Sequence, residues 1–260
     1  MAFSEITTVD ALALVAFLVV WFGYEVLFDS RWRFPGTINA NMIRVREAWM
    51  RRLLRRDGRI VDSTLIGYSI RSATFFASTT ILLIAGLVGV IGSAERLHGM
   101  TSNLSLLLRQ TSQGLFEVKV LLLVALLVYA FFKFTWAIRQ FNYFAGIVGS
   151  APEPRDGEPS REAARRMALV LSQAMWQVNA GVRGYYFAFA ALGWFVHPAL
   201  FVALSLLMAG IMTHRQLYSE TARAIAAHVA LLGALEDGGE ATGGGTAPTP
   251  FDPPPPGERR

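Results

Sequence analysis

The chain has 260 residues, a formal net charge of +5 and no cysteine, with 53% hydrophobic residues, 17% charged residues and a mean hydropathy of +0.39. The missing cysteine excludes disulfides, thiolate metal sites, iron–sulfur clusters and cysteine nucleophiles, and the apolar balance points to lipid as the solvent. Of the 24 basic residues only Lys119 and Lys133 are lysines, a bias that fits a GC-rich bacterial genome; without a reading motif in the basic segments, nucleic acid is not an expected partner.

A helix needs about 20 predominantly apolar residues to cross a bilayer, and the first such stretch runs from Val9 to Phe28. It ends in Trp21, Tyr24 and Glu25 without a small-residue cleavage site, so it reads as a retained helix and not as a signal peptide. In the loop that follows, Met42, Val45, Trp49, Met50, Leu53 and Leu54 recur at helical spacing from Ile38 to Leu54, with Arg44, Arg51, Arg52 and Arg55 on the opposite arc. This predicts an amphipathic helix. Two readings are open: the apolar arc lies in the inner leaflet and offers arginines to lipid phosphates, or it packs on the end of the bundle.

The second span, Ser72 to Gly92, carries no charge, and its Ala85, Gly86, Gly89 and Gly92 would let another helix approach closely. The third runs from Val118 to Ile138 and contains Lys133. After the turn Ala151 to Pro159, Ser160 is placed to cap a helix with apolar positions Met167, Val170, Leu171, Ala174 and Val178, which can run on into a fourth span from Tyr185 to Met212. His197 and Pro198 fall midway along it, where proline would kink the helix. Beyond it, Leu217, Thr221, Ala224, His228, Leu231 and Leu235 form a seam expected to pack on the protein's own bundle. Gly238 to Arg260 reads as a disordered Gly/Pro-rich tail after a transmembrane domain of residues 1–237.

Arginine and lysine number ten from Asp29 to Arg71, two from Ser93 to Gly114, seven from Lys133 to Gly184 and four from Thr213 to Arg260. Because short basic loops stay in the cytoplasm, the expected topology has the arginine-rich loops inside and both termini outside, in a bacterial inner membrane. The expected fold is therefore an all-α polytopic bundle of four transmembrane helices with an amphipathic cytoplasmic helix.

No stretch fits a phosphate-cradling loop, a dinucleotide fingerprint, a zinc-protease helix or a nucleophile elbow, and the four histidines lack the spacing of a metal pair. No catalytic residue, metal or cofactor is expected. Polar groups at membrane depth are the remaining candidates. Glu25, Arg71, Lys133 and Arg183 would bring one charge from each span to a single cytoplasmic layer, with Asn179 and Tyr185 beside it. That layer is either a Glu25–Lys133 pair with snorkelling arginines or a site for an anionic solute or phospholipid head group. His197 with Pro198 is either a gate or proton relay, or a histidine bonded to Ser78, Thr79 or Thr80.

Four segments carry a family resemblance: Arg55 to Asp62 (RRDGRIVD), Ile70 to Leu83 (IRSATFFASTTILL), Phe132 to Tyr143 (FKFTWAIRQFNY) and Asn179 to Pro198 (NAGVRGYYFAFAALGWFVHP). In these the chain resembles a membrane family of bacteria and plants known as domain of unknown function 599. The resemblance implies a multi-pass helical membrane protein and no activity. The residues themselves support a non-catalytic membrane component that self-associates or assembles with a partner, in contact with anionic inner-leaflet lipid. The alternative is a small transporter or binding protein for an anionic solute or phospholipid head group.

Overall fold

The computed structural model describes residues 7–29, 36–56, 58–92, 113–151 and 161–242. Among these, the regular elements are all helices: α1 (Thr8–Asp29), α2 (Ile38–Leu54), α3 (Ile60–Gly92), α4 (Gln113–Gly149), α5 (Arg161–Val196), α6 (Pro198–Leu217) and α7 (Glu220–Thr242). Four helical stretches are long and apolar enough to cross a membrane, Thr8–Phe28, Ile60–Val90, Gly114–Gly149 and Pro198–Leu235. The all-α membrane bundle with an amphipathic helix after its first span is the architecture observed.

The stretch from Tyr185 to Met212 is not one kinked helix. His197 is extended (φ −159°, ψ 140°) and serves as the N-cap of α6, with Pro198 at its start. A proline at the first helical position forfeits only a donor that has no intrahelical partner, so His-Pro here begins a helix instead of bending one. The chain then reverses. Arg215 Nη1 lies 3.4 Å from Tyr186 Oη, whereas 29 residues of straight helix would separate them by roughly 43 Å. A Cβ on Gly193 would come within 2.8 Å of Leu204 Cδ1, so the missing side chain is what lets α6 return along α5. Trp194 stacks on Phe201 at 5.1 Å, and Phe201 on Phe17 of α1 at 4.8 Å, which clasps the hairpin to the first span.

Two packed layers follow from the lengths of the helices. In one, Phe17, Leu126, Phe187, Trp194 and Phe201 fill the space between α1, α4, α5 and α6. In the other, Met50, Leu53 and Leu54 of α2 pack against Phe141 and Phe144 of α4 and Met167 and Leu171 of α5. The three α2 side chains are at most 1% exposed, and full burial of such a side chain is worth about 1.5–3 kcal/mol. The apolar arc of α2 is thus spent on protein, which decides between the two readings of that segment. Helices α4 and α5 meet at small residues: a Cβ on Gly181 would come within 2.7 Å of the Phe134 ring, and one on Gly184 within 3.1 Å of Ala130 Cβ. By contrast, a Cβ at Gly86 or Gly92 of α3 would meet nothing within 4 Å. Among the described residues, the close-packing glycines are therefore in α5 and not in the second span.

Two further expectations are corrected. The buried face of α7 is Ala222, Val229 and Leu232, while Leu231 and Leu235 are 57% and 61% exposed. The seam lies one position away from the one expected, because the alanine and branched residues of the neighbouring register bury no threonine or histidine. Helix α7 also continues to Thr242, past Gly238; the rest of the tail, and Ser160, lie outside the described residues. Finally, Asp10 at the start of α1 bonds to Trp194 at the α5–α6 turn, whereas α7 lies against α2. The two ends of the described chain are at opposite ends of the bundle, since residues 185–212 make a turn and not a single crossing.

Candidate functional site

Glu25 and Lys133 meet as the sequence suggests, with Lys133 Nζ 4.0 Å from Glu25 Oε1 and both side chains about a quarter exposed (23%). Tyr129, one turn before Lys133 on α4, donates its hydroxyl to the same carboxylate oxygen at 2.7 Å. The ammonium also lies 5.1 Å from the centre of the Tyr129 ring and 5.4 Å from that of Trp176. A carboxylate with two donors and a cation between two π-faces form a satisfied group.

Of the rest of the proposed layer, Arg71, Tyr185 and Asn179 turn elsewhere. Arg71 is exposed and covers the Tyr68 ring of its own helix at 4.7 Å. Tyr185 turns toward α3, where its hydroxyl is 2.6 Å from Thr80 Oγ1 and donates to the Phe76 carbonyl at 3.1 Å. Arg183 is buried, 8% exposed, two helical turns beyond Trp176 on α5. Asn179 faces α2 and donates to Asn39 Oδ1 at 3.3 Å. His197 is exposed and bonds to none of Ser78, Thr79 or Thr80; its Nδ1 accepts from the Ala199 backbone N–H at 3.1 Å. The ring caps a helix, a local role that Asn or Asp performs elsewhere.

Asn179 belongs instead to a cleft between the end of α1, the first turns of α2 and the middle of α5. Leu27, Phe28 and Trp176 form its apolar side, and Asn39, Arg46 and Ser172 its polar side. Its volume is about 70 Å3, room for a few waters or one phosphate-sized group. Arg46 Nη1 donates to Ser172 Oγ at 3.2 Å, and burial holds its guanidinium below the usual value, at about 10. At neutral pH it remains a cation, desolvated in part, with no carboxylate in its recorded contacts. Sequence reading overlooked Arg46, although it interrupts the buried arc of α2 four residues before Met50 and seven before Leu53, a position where a charge needs a reason.

Two other polar groups were also missed. Asp62, fully buried, accepts from Trp49 Nε1 at 2.6 Å and from Arg56 Nη1 at 3.4 Å, and Arg59 donates to the Val148 and Ala151 carbonyls at 3.0 and 3.1 Å. Arg59 thereby satisfies carbonyls at the negative end of α4. The Arg55 to Asp62 motif is a clasp joining α2, α3 and α4. At the other end of the bundle Asp10 and Lys119 are 2% and 3% exposed. Asp10 Oδ1 accepts from Trp194 Nε1 at 2.9 Å, while Lys119 Nζ lies 5.8 Å from the centre of the same indole.

Among the described residues no group of three His, Asp or Glu side chains is placed to hold a metal ion. The profile of one family, Protein of unknown function, DUF599, matches residues 12–221, from α1 through the start of α7. Neither a curated protein nor a solved structure matches the chain.

Proposed function

We propose, for a chain that belongs to the DUF599 family, the role of a non-catalytic component of the bacterial cytoplasmic membrane that engages anionic phospholipid at its α2 face. The observation that carries this reading is the division of labour on α2: its apolar arc is consumed by α4 and α5, while Arg44, Arg52 and Arg55 stay exposed. A basic surface next to the end of a membrane span attracts anionic lipid by about 1 kcal/mol per arginine. The excess of arginine in this part of the chain supports a cytoplasmic position for α2, and α7, packed on α2, goes to the same side.

The test compares the thermal midpoint of the full chain in phosphatidylcholine nanodiscs with and without phosphatidylglycerol. The anionic lipid is expected to raise the midpoint, and Arg44→Gln/Arg52→Gln/Arg55→Gln is expected to abolish most of the difference. Equal midpoints in both lipids would refute the reading.

Self-association is a second reading, supported by α3, whose one extensive helical neighbour among the described residues is α4 and whose Gly86 and Gly92 have no close contact among the described residues. Since the chain has no cysteine, Gly86→Cys places a single thiol on that face. Disulfide-linked dimers formed in native membranes, and absent for a thiol placed on the α2 face, would support it.

A further inference from the structure

We infer that the cleft between α1, α2 and α5 is a specific site for one anionic phospholipid, whose phosphate pairs with Arg46 while its chains descend along Leu27 and Phe28. This inference rests on the reading that the α2 face meets anionic lipid, and it goes further by naming a single stoichiometric site.

The geometry is that of an amphiphile's binding place. A guanidinium has five N–H donors in a planar fork suited to phosphate oxygens, and here one of them is directed to Ser172. The amide pair Asn179 and Asn39 lines the same cleft. Lys133 and Arg56 each have a carboxylate partner, Glu25 and Asp62, whereas half-buried Arg46 has no carboxylate partner among the described residues and bonds to Ser172. With its guanidinium facing the cleft and desolvated in part, Arg46 is the cation that an anion entering from outside would meet. The apolar wall decides what carries that anion. Leu27, 46% exposed, and Phe28 lie in the last turn of a membrane span, so a ligand that reaches the cleft from the bilayer keeps its hydrocarbon in lipid.

The experiment takes the full chain from nanodiscs of phosphatidylcholine with phosphatidylglycerol into mild detergent and counts retained lipid by native mass spectrometry. One phosphatidylglycerol per chain is expected, and Arg46→Gln is expected to lower its retention by about tenfold, the loss of a charge-assisted contact. Arg46→Lys keeps the charge without the fork and should retain less lipid than the wild type. A measurement on the unaltered protein stands beside these variants: phenylglyoxal modification of Arg46, read by peptide mass spectrometry, should be slowed by phosphatidylglycerol and not by inorganic phosphate. Protection by inorganic phosphate to the same degree would assign the cleft to a free phosphate-bearing solute and overturn the lipid assignment. Unchanged retention in Arg46→Gln, or equal modification of Arg46 in both lipids, would overturn the site itself. The two readings fail separately, since Arg44→Gln/Arg52→Gln/Arg55→Gln should erase the dependence of stability on lipid charge while leaving the retained lipid in place.

Discussion

Glu25 of α1 and Lys133 of α4 form an ion pair between two helices far apart in the chain, closed at 4.0 Å and shared with the Tyr129 hydroxyl. Helix α1 touches the rest of the bundle chiefly through α6 and through ring contacts such as Phe17–Phe187 and Trp21–Tyr129. The pair therefore fixes the C-terminal end of a span that otherwise relies on aromatic packing.

Removing one member should leave the other charge uncompensated. Glu25→Gln and Lys133→Gln are each expected to lower stability by about 1–3 kcal/mol, below the cost for a fully buried pair because a quarter of each side chain meets solvent. The double variant should cost less than the sum of the two. Unfolding followed by circular dichroism in detergent measures all three, and strict additivity would show that the pair is not coupled.

At Gly181 the predicted consequence is steric. A Cβ there meets the Phe134 ring at 2.7 Å, and that ring is fully buried, so Gly181→Val should overpack the α4–α5 contact by about 1–3 kcal/mol. Adding Phe134→Leu should recover part of the loss. Gly86→Val, where nothing lies within 4 Å, should be near neutral in the monomer, and an equal loss at both positions would contradict the packing described.

The cap at His197 gives a smaller effect with a clear chemical signature. His197→Ala should destabilise by about 0.5–2 kcal/mol, and His197→Asn should restore most of it because an amide oxygen can accept the same N–H. A relay would respond differently, with Asn as damaging as Ala.

Topology can be mapped with single thiols in the cysteine-free background. In intact cells Thr8→Cys should react with an impermeant maleimide, while Arg44→Cys and Tyr218→Cys should react only after permeabilisation; all three positions are exposed. Labelling of Tyr218→Cys from outside would return the C-terminal helix to the side first expected from arginine counting.

The apolar spans were legible because a bilayer demands uninterrupted hydropathy, and α1, α3 and α4 contain the stretches foreseen. Glu25–Lys133 was legible too, since charges at matching depth have few alternatives in lipid. The α5–α6 reversal was not. Periodicity continues through His197 and Pro198, and the same dipeptide serves equally as a kink or as an N-cap and first residue. The choice is made by Gly193 and by the Trp194–Phe201–Phe17 stack, contacts that spacing does not reveal. The register of α7 failed for a related reason: two interleaved apolar seams are present, and burial selects Ala222, Val229 and Leu232. Arg46 and Asp62 were not legible as site residues, because in a segment rich in charge only the fold shows which side chains are turned inward.

The two lysines of the chain give the bundle a built-in chemical reporter. Both are on α4, Lys119 almost wholly enclosed near Trp194 and Lys133 held against Glu25 between two rings. Succinimidyl esters, which acylate primary amines and spare guanidinium groups, should therefore react slowly with the native side chains despite the chain's basic character. Amine-directed cross-linkers and surface immobilisation would find few attachment points. For the same reason, the rate at which these two positions are acylated measures how often α4 parts from its neighbours, and does so without any engineered label.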